Sequence, residues 1–293
     1  MPRYAYKYRR PQRRKTRGGR VLLVLLLLLA LAYPFYEAFH FSVKEYTTDI
    51  QDLPSNLKNL KVVFISDIHQ NAWDSQARTD KVIKTINGLS PDLVLLGGDY
   101  AMDPEGAIDF FETLPLIQAR LGAYGVLGSN DRNDSTTDLR SLREAMLAAG
   151  VTPLVNEVTS IKVGQATLYI AGLDDITNGD PDVDGVAAKL DADHFVILVG
   201  HNPDLLNDTV KAVDQNGKSH WFDLALFGHT HGGQIVLFGK PLLSVFKPTY
   251  SSRYLSGFIT ENRANILISN GIGTTIVPMR LFAPAQIYLI RLR

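Results

Sequence analysis

Leu224-Ala225-Leu226-Phe227-Gly228-His229-Thr230-His231 joins a short, wholly apolar run to a glycine and then to two histidines spaced by one residue. Four apolar residues bounded by a turn signal read as a buried strand. The glycine lets the chain turn sharply, and a histidine pair of that spacing brings both imidazoles near one point. Four other runs have the same form. Val62-Val63-Phe64-Ile65 leads into Ser66-Asp67-Ile68-His69, and Leu93-Val94-Leu95-Leu96 into Gly97-Gly98-Asp99. Tyr124-Gly125-Val126-Leu127 leads into Gly128-Ser129-Asn130-Asp131, and Phe195 to Val199 into Gly200-His201. Between them lie helix-like stretches. Asp80 to Leu89 sets Val82, Ile83 and Ile86 on one face, and Leu139 to Ala149 closes at Gly150. Ile161 to Ile170 suggests two strands turning at Gly164, and Ala264 to Ser269 and Gln286 to Leu292 suggest two more. Strands alternating with helices predict an α/β domain, in which the carboxyl ends of the strands share one crevice.

Taken singly, each polar residue has a plain structural reading: Asp67 and His69 as a turn pair, Asp99 as a helix cap, His201 as a loop histidine. Taken together they do not, because a sheet has no structural need for Asp, His or Asn at the same point of five strands. The joint pattern predicts a metal centre, and it uses four of the seven histidines. His40, His194 and His220 lack this setting and read as surface or core residues. With no cysteine in the chain, the donors are imidazole, carboxylate and amide, a set suited to Mn, Fe, Zn or Co. They are too many for one tetrahedral zinc, and they fit two divalent ions sharing a bridging carboxylate.

The ordered series Asp67-Ile68-His69, Gly98-Asp99, Gly128-Ser129-Asn130-Asp131, Gly200-His201 and Gly228-His229-Thr230-His231 resembles the motifs of the calcineurin-like metallophosphoesterases. The longer strings GHTHGGQ at Gly228–Gln234 and SNGIGT at Ser269–Thr274 are similar to the bacterial membrane-associated branch of that family. The resemblance runs from about Leu60 onward. It implies an α/β fold, a four-layer αββα sandwich of two mixed sheets. It also implies that Asp67, His69 and His231 hold one metal, that His201 and His229 hold the other, and that Asp99 bridges them. The implied activity is hydrolysis of a phosphodiester or pyrophosphate by a hydroxide activated between the ions.

One motif departs from the family: Ser129 stands where the metal-binding Asn is usual, and Asn130 where a catalytic His is usual. Asn130 is the preferred ligand, since an amide oxygen is the better donor for a hard cation. Asp99, Asn130 and Asp131 are then the catalytic candidates, with Asp131, Arg132 or Arg280 left to assist a leaving group if they are not structural. The same departure supports an alternative reading, a non-catalytic binding module with a weakened metal site. The retained ligands speak against it.

The formal net charge of zero is unevenly spread. Nine Lys or Arg and no acid fall in the first twenty residues, leaving 21 basic against 30 acidic residues, a net of −9, from Val21 onward. An acidic body argues against nucleic acid as a partner. Absence of cysteine excludes disulfides. The apolar run from Val21 to Tyr36 follows the basic block and predicts a cytoplasmic tail at 1–20, a transmembrane signal anchor at 21–42, a linker at 43–58 and an extracytoplasmic domain at 59–293. As a helix the run is about 24 Å long, short of a ~30 Å hydrocarbon core, with Arg20 and Ala38–Val43 to make up the difference. Ala30-Leu31-Ala32 leaves open a cleaved, secreted form. Location alone suggests a lipid-linked phosphate ester as substrate.

Overall fold

A computed structural model describes residues 17–293 apart from Ala72 and Asn262, so most of the expected basic tail lies outside the described residues. Helix α1 (Arg17–Phe39) contains the leucine-rich run. Its Val and Leu side chains from Val21 to Leu31 are all more than half exposed, because the run is apolar on every face and packs on nothing in the domain. From Gly18 to Phe39 it is long and apolar enough to cross a membrane.

Strand β1 (Phe41–Thr48) follows at once, then β2 (Lys61–Ile65), α2 (Gln76–Gly88), β3 (Leu93–Leu96), α3 (Pro104–Thr113), β4 (Ala123–Gly125), α4 (Arg140–Ala148) and β5 (Val151–Pro153). The second half adds β6 (Glu157–Val163), β7 (Ala166–Gly172), α5 (Val183–Ala187), β8 (Phe195–Val199), β9 (Leu224–Phe227), the small hairpin β10 (Val236–Leu237) and β11 (Lys240–Pro241), β12 (Gly257–Glu261), β13 (Ala264–Ile268) and β14 (Ala285–Leu292). They form two six-stranded mixed sheets, β1-β14-β2-β3-β4-β5 and β12-β13-β9-β8-β7-β6.

The alternation of side chains along each strand sorts the core into layers. Val62, Phe64, Leu93 and Leu95 of the first sheet meet Ile170, Ile197, Val199, Leu224 and Leu226 of the second. The other faces of the same strands carry Val63, Ile65, Val94 and Leu96 against α2, α3 and α4. On the far side, Val196, Leu198, Ala225 and Phe227 pack under α5 and Trp221. The result is the expected four-layer αββα sandwich.

The expected linker 43–58 needs correction. Its first part is β1, paired in parallel with β14 from Phe41↔Ala285 to Thr48↔Leu292. Leu53 and Leu57 are buried in the core between the sheets. The first sheet therefore begins at Phe41, two residues beyond α1. The β4 run is also shorter than its apolar stretch; Val126 still donates its N–H to the Leu96 carbonyl at 3.0 Å, past the regular ladder.

Candidate metal centre

β2, β3 and β4 lie parallel in one sheet, and β7, β8 and β9 lie parallel in the other. Their carboxyl ends open at the same end of the sandwich. Beyond β2 and β3 the two chains continue side by side: Asp67, His69 and Gln70 donate backbone N–H groups to the carbonyls of Gly98, Asp99 and Tyr100 at 2.9, 3.1 and 2.9 Å. Asp67 (φ 52°), His69 (48°), Asp99 (56°), His229 (68°) and His231 (51°) are all left-handed. Each costs about 1 kcal/mol or more for a residue with a side chain. The cost is accepted at five strand-end residues whose side chains converge, where bonded neighbours over-determine the backbone. Glycine is required where the loops cross: a Cβ on Gly98 would lie 2.4 Å from the Gly128 nitrogen, and one on Gly128 2.3 Å from Asp99 Oδ1.

Two overlapping donor groups result, Asp67 with His69 and His231, and Asp67 with Asp99 and His201. His69 Nε2 is 3.1 Å from His231 Nε2, and His231 Nε2 is 3.7 Å from Asp67 Oδ1. His201 Nε2 is 3.3 Å from Asp99 Oδ2 and 3.3 Å from His229 Nδ1. His69 Nε2 lies 3.5 Å from the same Asp99 oxygen, which ties the two groups together. Donors sharing one ion at about 2.1 Å lie roughly 3.0 to 3.4 Å apart, and the spacings of 3.1 Å between His69 and His231 and 3.3 Å from His201 to Asp99 and to His229 match that range. Two imidazole nitrogens at 3.1 Å are placed to share either one proton or one cation.

Neighbouring groups orient the donors. His201 Nδ1–H donates to the Gly97 carbonyl at 2.7 Å, which turns Nε2 inward. Ser66 Oγ donates to Asp67 Oδ2 at 2.5 Å, and the His229 N–H to Asp67 Oδ1 at 2.8 Å. Arg280 is fully buried behind His231, donating to its carbonyl at 3.3 Å and to Ala283 and Gly273 carbonyls at 2.8 and 2.5 Å. Burial raises the Asp99 carboxyl, but His201, His69 and the Asn130 N–H outweigh it and hold the group well below the usual carboxylate range. Burial and His201 lower the His229 imidazole, and burial, His69 and Arg280 lower His231 further. Both are thus neutral with lone pairs available, as ligands must be. For His201 burial is outweighed by adjacent Asp99, which raises its proton affinity.

Asn130 borders the cluster. Its N–H donates to Asp99 Oδ1 at 2.8 Å, and its Nδ2 lies 3.2 Å from Asp99 Oδ2 and 3.5 Å from His69 Nδ1. To ligate, the amide has to turn its oxygen inward. Ser129 instead accepts Asn178 Nδ2 on its carbonyl at 2.7 Å. Asp131 does not face the crevice, contrary to its expected catalytic place. It is fully buried, with Oδ2 accepting from Gly128 and Asp99 N–H at 2.7 and 2.8 Å and Oδ1 from Tyr100 N–H at 2.9 Å. It is a positioning residue that clamps two ligand loops. Burial and the Asp99 charge push its carboxyl up to about 7, against the Gly128 and Tyr100 N–H groups and the charge of His201. Arg132 is committed to a buried ion pair with Asp174 at 2.7 Å.

The sequence reading overlooked Asp175. β7 runs parallel to β8, and the Leu173 N–H reaches the Val199 carbonyl at 3.0 Å, which carries Asp174 and Asp175 to the level of His201. Asp175 is fully buried. Its Oδ2 accepts Thr177 and Asn178 N–H at 2.7 and 2.8 Å, while Oδ1 takes no hydrogen bond among the described residues. Its charge acts on both His201 and His229. The signal was present as a sixth apolar strand followed by a carboxylate.

The sequence profile of the family described as calcineurin-like phosphoesterase matches residues 60–233, which span every donor named above. The chain is 29% identical over 264 residues to an uncharacterized metallophosphoesterase of Bacillus subtilis, YkuE, covering 88% of each. It is 34% identical over 238 residues to a second B. subtilis protein, YpbG, covering 80% of this chain and 81% of that one. Phosphodiesterase YaeI of Escherichia coli is 27% identical over 241 residues, 81% of this chain and 83% of that one.

Proposed function

The chain belongs to the calcineurin-like phosphoesterase family, and from that premise we propose that it is a membrane-anchored hydrolase of phosphodiester or pyrophosphate bonds that works with two divalent cations. One observation carries the reading: Asp99 Oδ2 lies 3.5 Å from His69 and 3.3 Å from His201, donors delivered by different sheets. Asp67, His69 and His231 would hold one ion, and His201 and His229 the other, with Asn130 joining them once its amide oxygen is turned inward. Asp99 stands between. Oxygen and nitrogen donors without sulfur suit Mn, Zn or Fe.

When bound, such a pair of ions supplies Lewis acidity toward phosphoryl oxygens and lowers the pKa of water at the site. The chain's own residues hold that arrangement rigid. Asp131 fixes the Asp99 loop, the Gly97 carbonyl fixes His201, and Arg280 fixes His231. The buried carboxylates of Asp67 and Asp99 balance cationic charge that the surrounding apolar core does not solvate. The apolar helix α1 and the basic residues before it support an anchor with its amino terminus in the cytoplasm and the domain outside.

Metal content and turnover of a generic aryl phosphodiester, measured on the wild type and on Asp99→Asn, test the reading. The wild type should bind close to two ions. The variant should lose at least one ion and about 10³-fold or more in rate. A wild type that binds two ions without turnover, or a variant that keeps both ions and the full rate, rejects it; the first result would favour a binding module.

A further inference from the structure

The carboxyl end of α1 is fastened to the segment that backs the metal centre. The Pro34 carbonyl accepts the Arg280 N–H at 2.9 Å. The buried Glu37 carboxylate accepts Phe282 and Ala283 N–H at 3.2 and 3.0 Å. Residues 280–283 therefore sit at the depth of the last turns of α1, where Tyr33, Phe35 and Tyr36 are exposed as aromatic residues are at a membrane interface.

The same frame carries an unusual set of outward apolar side chains. Val236 N–H donates to the Leu281 carbonyl at 2.9 Å and brings the β10–β11 hairpin alongside. Phe238 at its tip is fully exposed. The buried Gln234 amide donates to the Thr275 and Val277 carbonyls at 2.8 and 3.1 Å and holds Ile276 between them. Ile276, Phe282, Leu242 and Val245 are each more than half exposed. Apolar residues grouped in this way mark a contact surface, and the element they share is the apolar helix. Its route passes the metal centre: Arg280 contacts His231, and the Phe246 ring lies 5.3 Å from the His231 ring. A groove of about 310 Å³, lined by Asn71, Trp73, Met102 and Ile276 among others, opens beside His69, whose carbonyl accepts Asn71 Nδ2 at 2.6 Å.

We propose that the surface formed by residues 235–246 and 276–282 seats on the bilayer that holds α1, and that the site draws amphiphilic phosphate esters from that membrane, with an alkyl chain lying in the groove. This rests on the phosphoesterase and anchor readings above. An apolar rim on this side places the mouth of the site at the depth of lipid phosphates. Each buried methylene of the substrate then adds to its binding.

The test uses the full chain in vesicles of phosphatidylcholine and phosphatidylglycerol. Because the chain has no cysteine, Phe238→Cys carries a single polarity-sensitive fluorophore, and Leu147→Cys on the outer helix α4 serves as reference. Blue-shifted emission quenched by brominated lipid at 238 and not at 147 is expected; equal emission and quenching at both overturns the docking, whatever the activity. Substrate access is read with aryl phosphodiesters carrying either a methyl or a long alkyl ester. The double variant Phe238→Ser, Phe282→Ser should lose about tenfold or more in kcat/KM on the long ester and stay within about twofold on the methyl ester. Equal effects on the two esters overturn the membrane substrate. If the wild type fails on the methyl ester with metal bound, it is the phosphoesterase reading that falls, and the fluorophore result still stands or falls alone.

Discussion

Asn130 offers an amide where a hydrolase would use a proton donor, and among the described residues no neighbouring acid takes over that task. Asp131 is closed off by three N–H groups, Arg132 is paired to Asp174, and Arg280 is buried behind His231. On the proposed reading a departing aryloxide meets no positioned acid among the described residues, and rates should fall about five- to tenfold per unit of leaving-group pKa across a panel of aryl phosphodiesters. A flat panel would show that a donor has been missed. Asp175 makes a second residue-scale prediction. Asp175→Asn keeps the shape and removes the charge beside His201 and His229, so divalent-cation affinity of the site should drop about 10- to 100-fold. The metal-free protein should be no less stable, because the unpaired Oδ1 is a burden there. Unchanged metal affinity would sink the assignment. The residues legible in the sequence were those delivered directly by a strand end, such as Asp67 or His201. Asp175 sits three positions past β7, and Asp131 is an acid in the right loop facing the wrong way. Side-chain direction in such a strand-end loop is set by contacts between loops, which adjacent residues in the sequence do not reveal.

At the scale of elements, the strands with unbroken apolar runs were readable because burial on both faces leaves no polar alternation to confuse them. β1 was not. Phe-Ser-Val-Lys-Glu-Tyr-Thr-Thr lies at a sheet edge, half exposed, and its partner is β14, more than two hundred residues later. Nothing local distinguishes it from a polar linker. The difference is measurable. A fragment beginning at Lys44 discards Phe41 and Val43, which pack against the outer core of the first sheet, and should be about 2 kcal/mol less stable than one beginning at His40. In thermal unfolding that corresponds to a Tm lower by roughly 4 to 8 °C. Equal Tm values would restore the linker reading.

For the molecule as a whole, the end of the sandwich remote from the metals sets part of the response to acid. Asp223 precedes β9 and accepts the Val196 N–H at 2.9 Å, and burial pushes its carboxyl up to about 6. The folded protein then holds this proton more tightly than the unfolded chain does, so the group contributes stability at low pH. That contribution is lost as pH rises from the ordinary carboxylate range through about 6. Asp223→Asn should remove this fall; a wild type and variant with parallel stability profiles between those limits would refute it. The four-layer arrangement itself was accessible from motif order, while the strand order of the first sheet was not, and that order has a further consequence. β14 lies between β1 and β2. The edge strand that follows α1 can join the sheet only through Ala285–Leu292, so the first sheet is complete only once the last strand of the chain is in place.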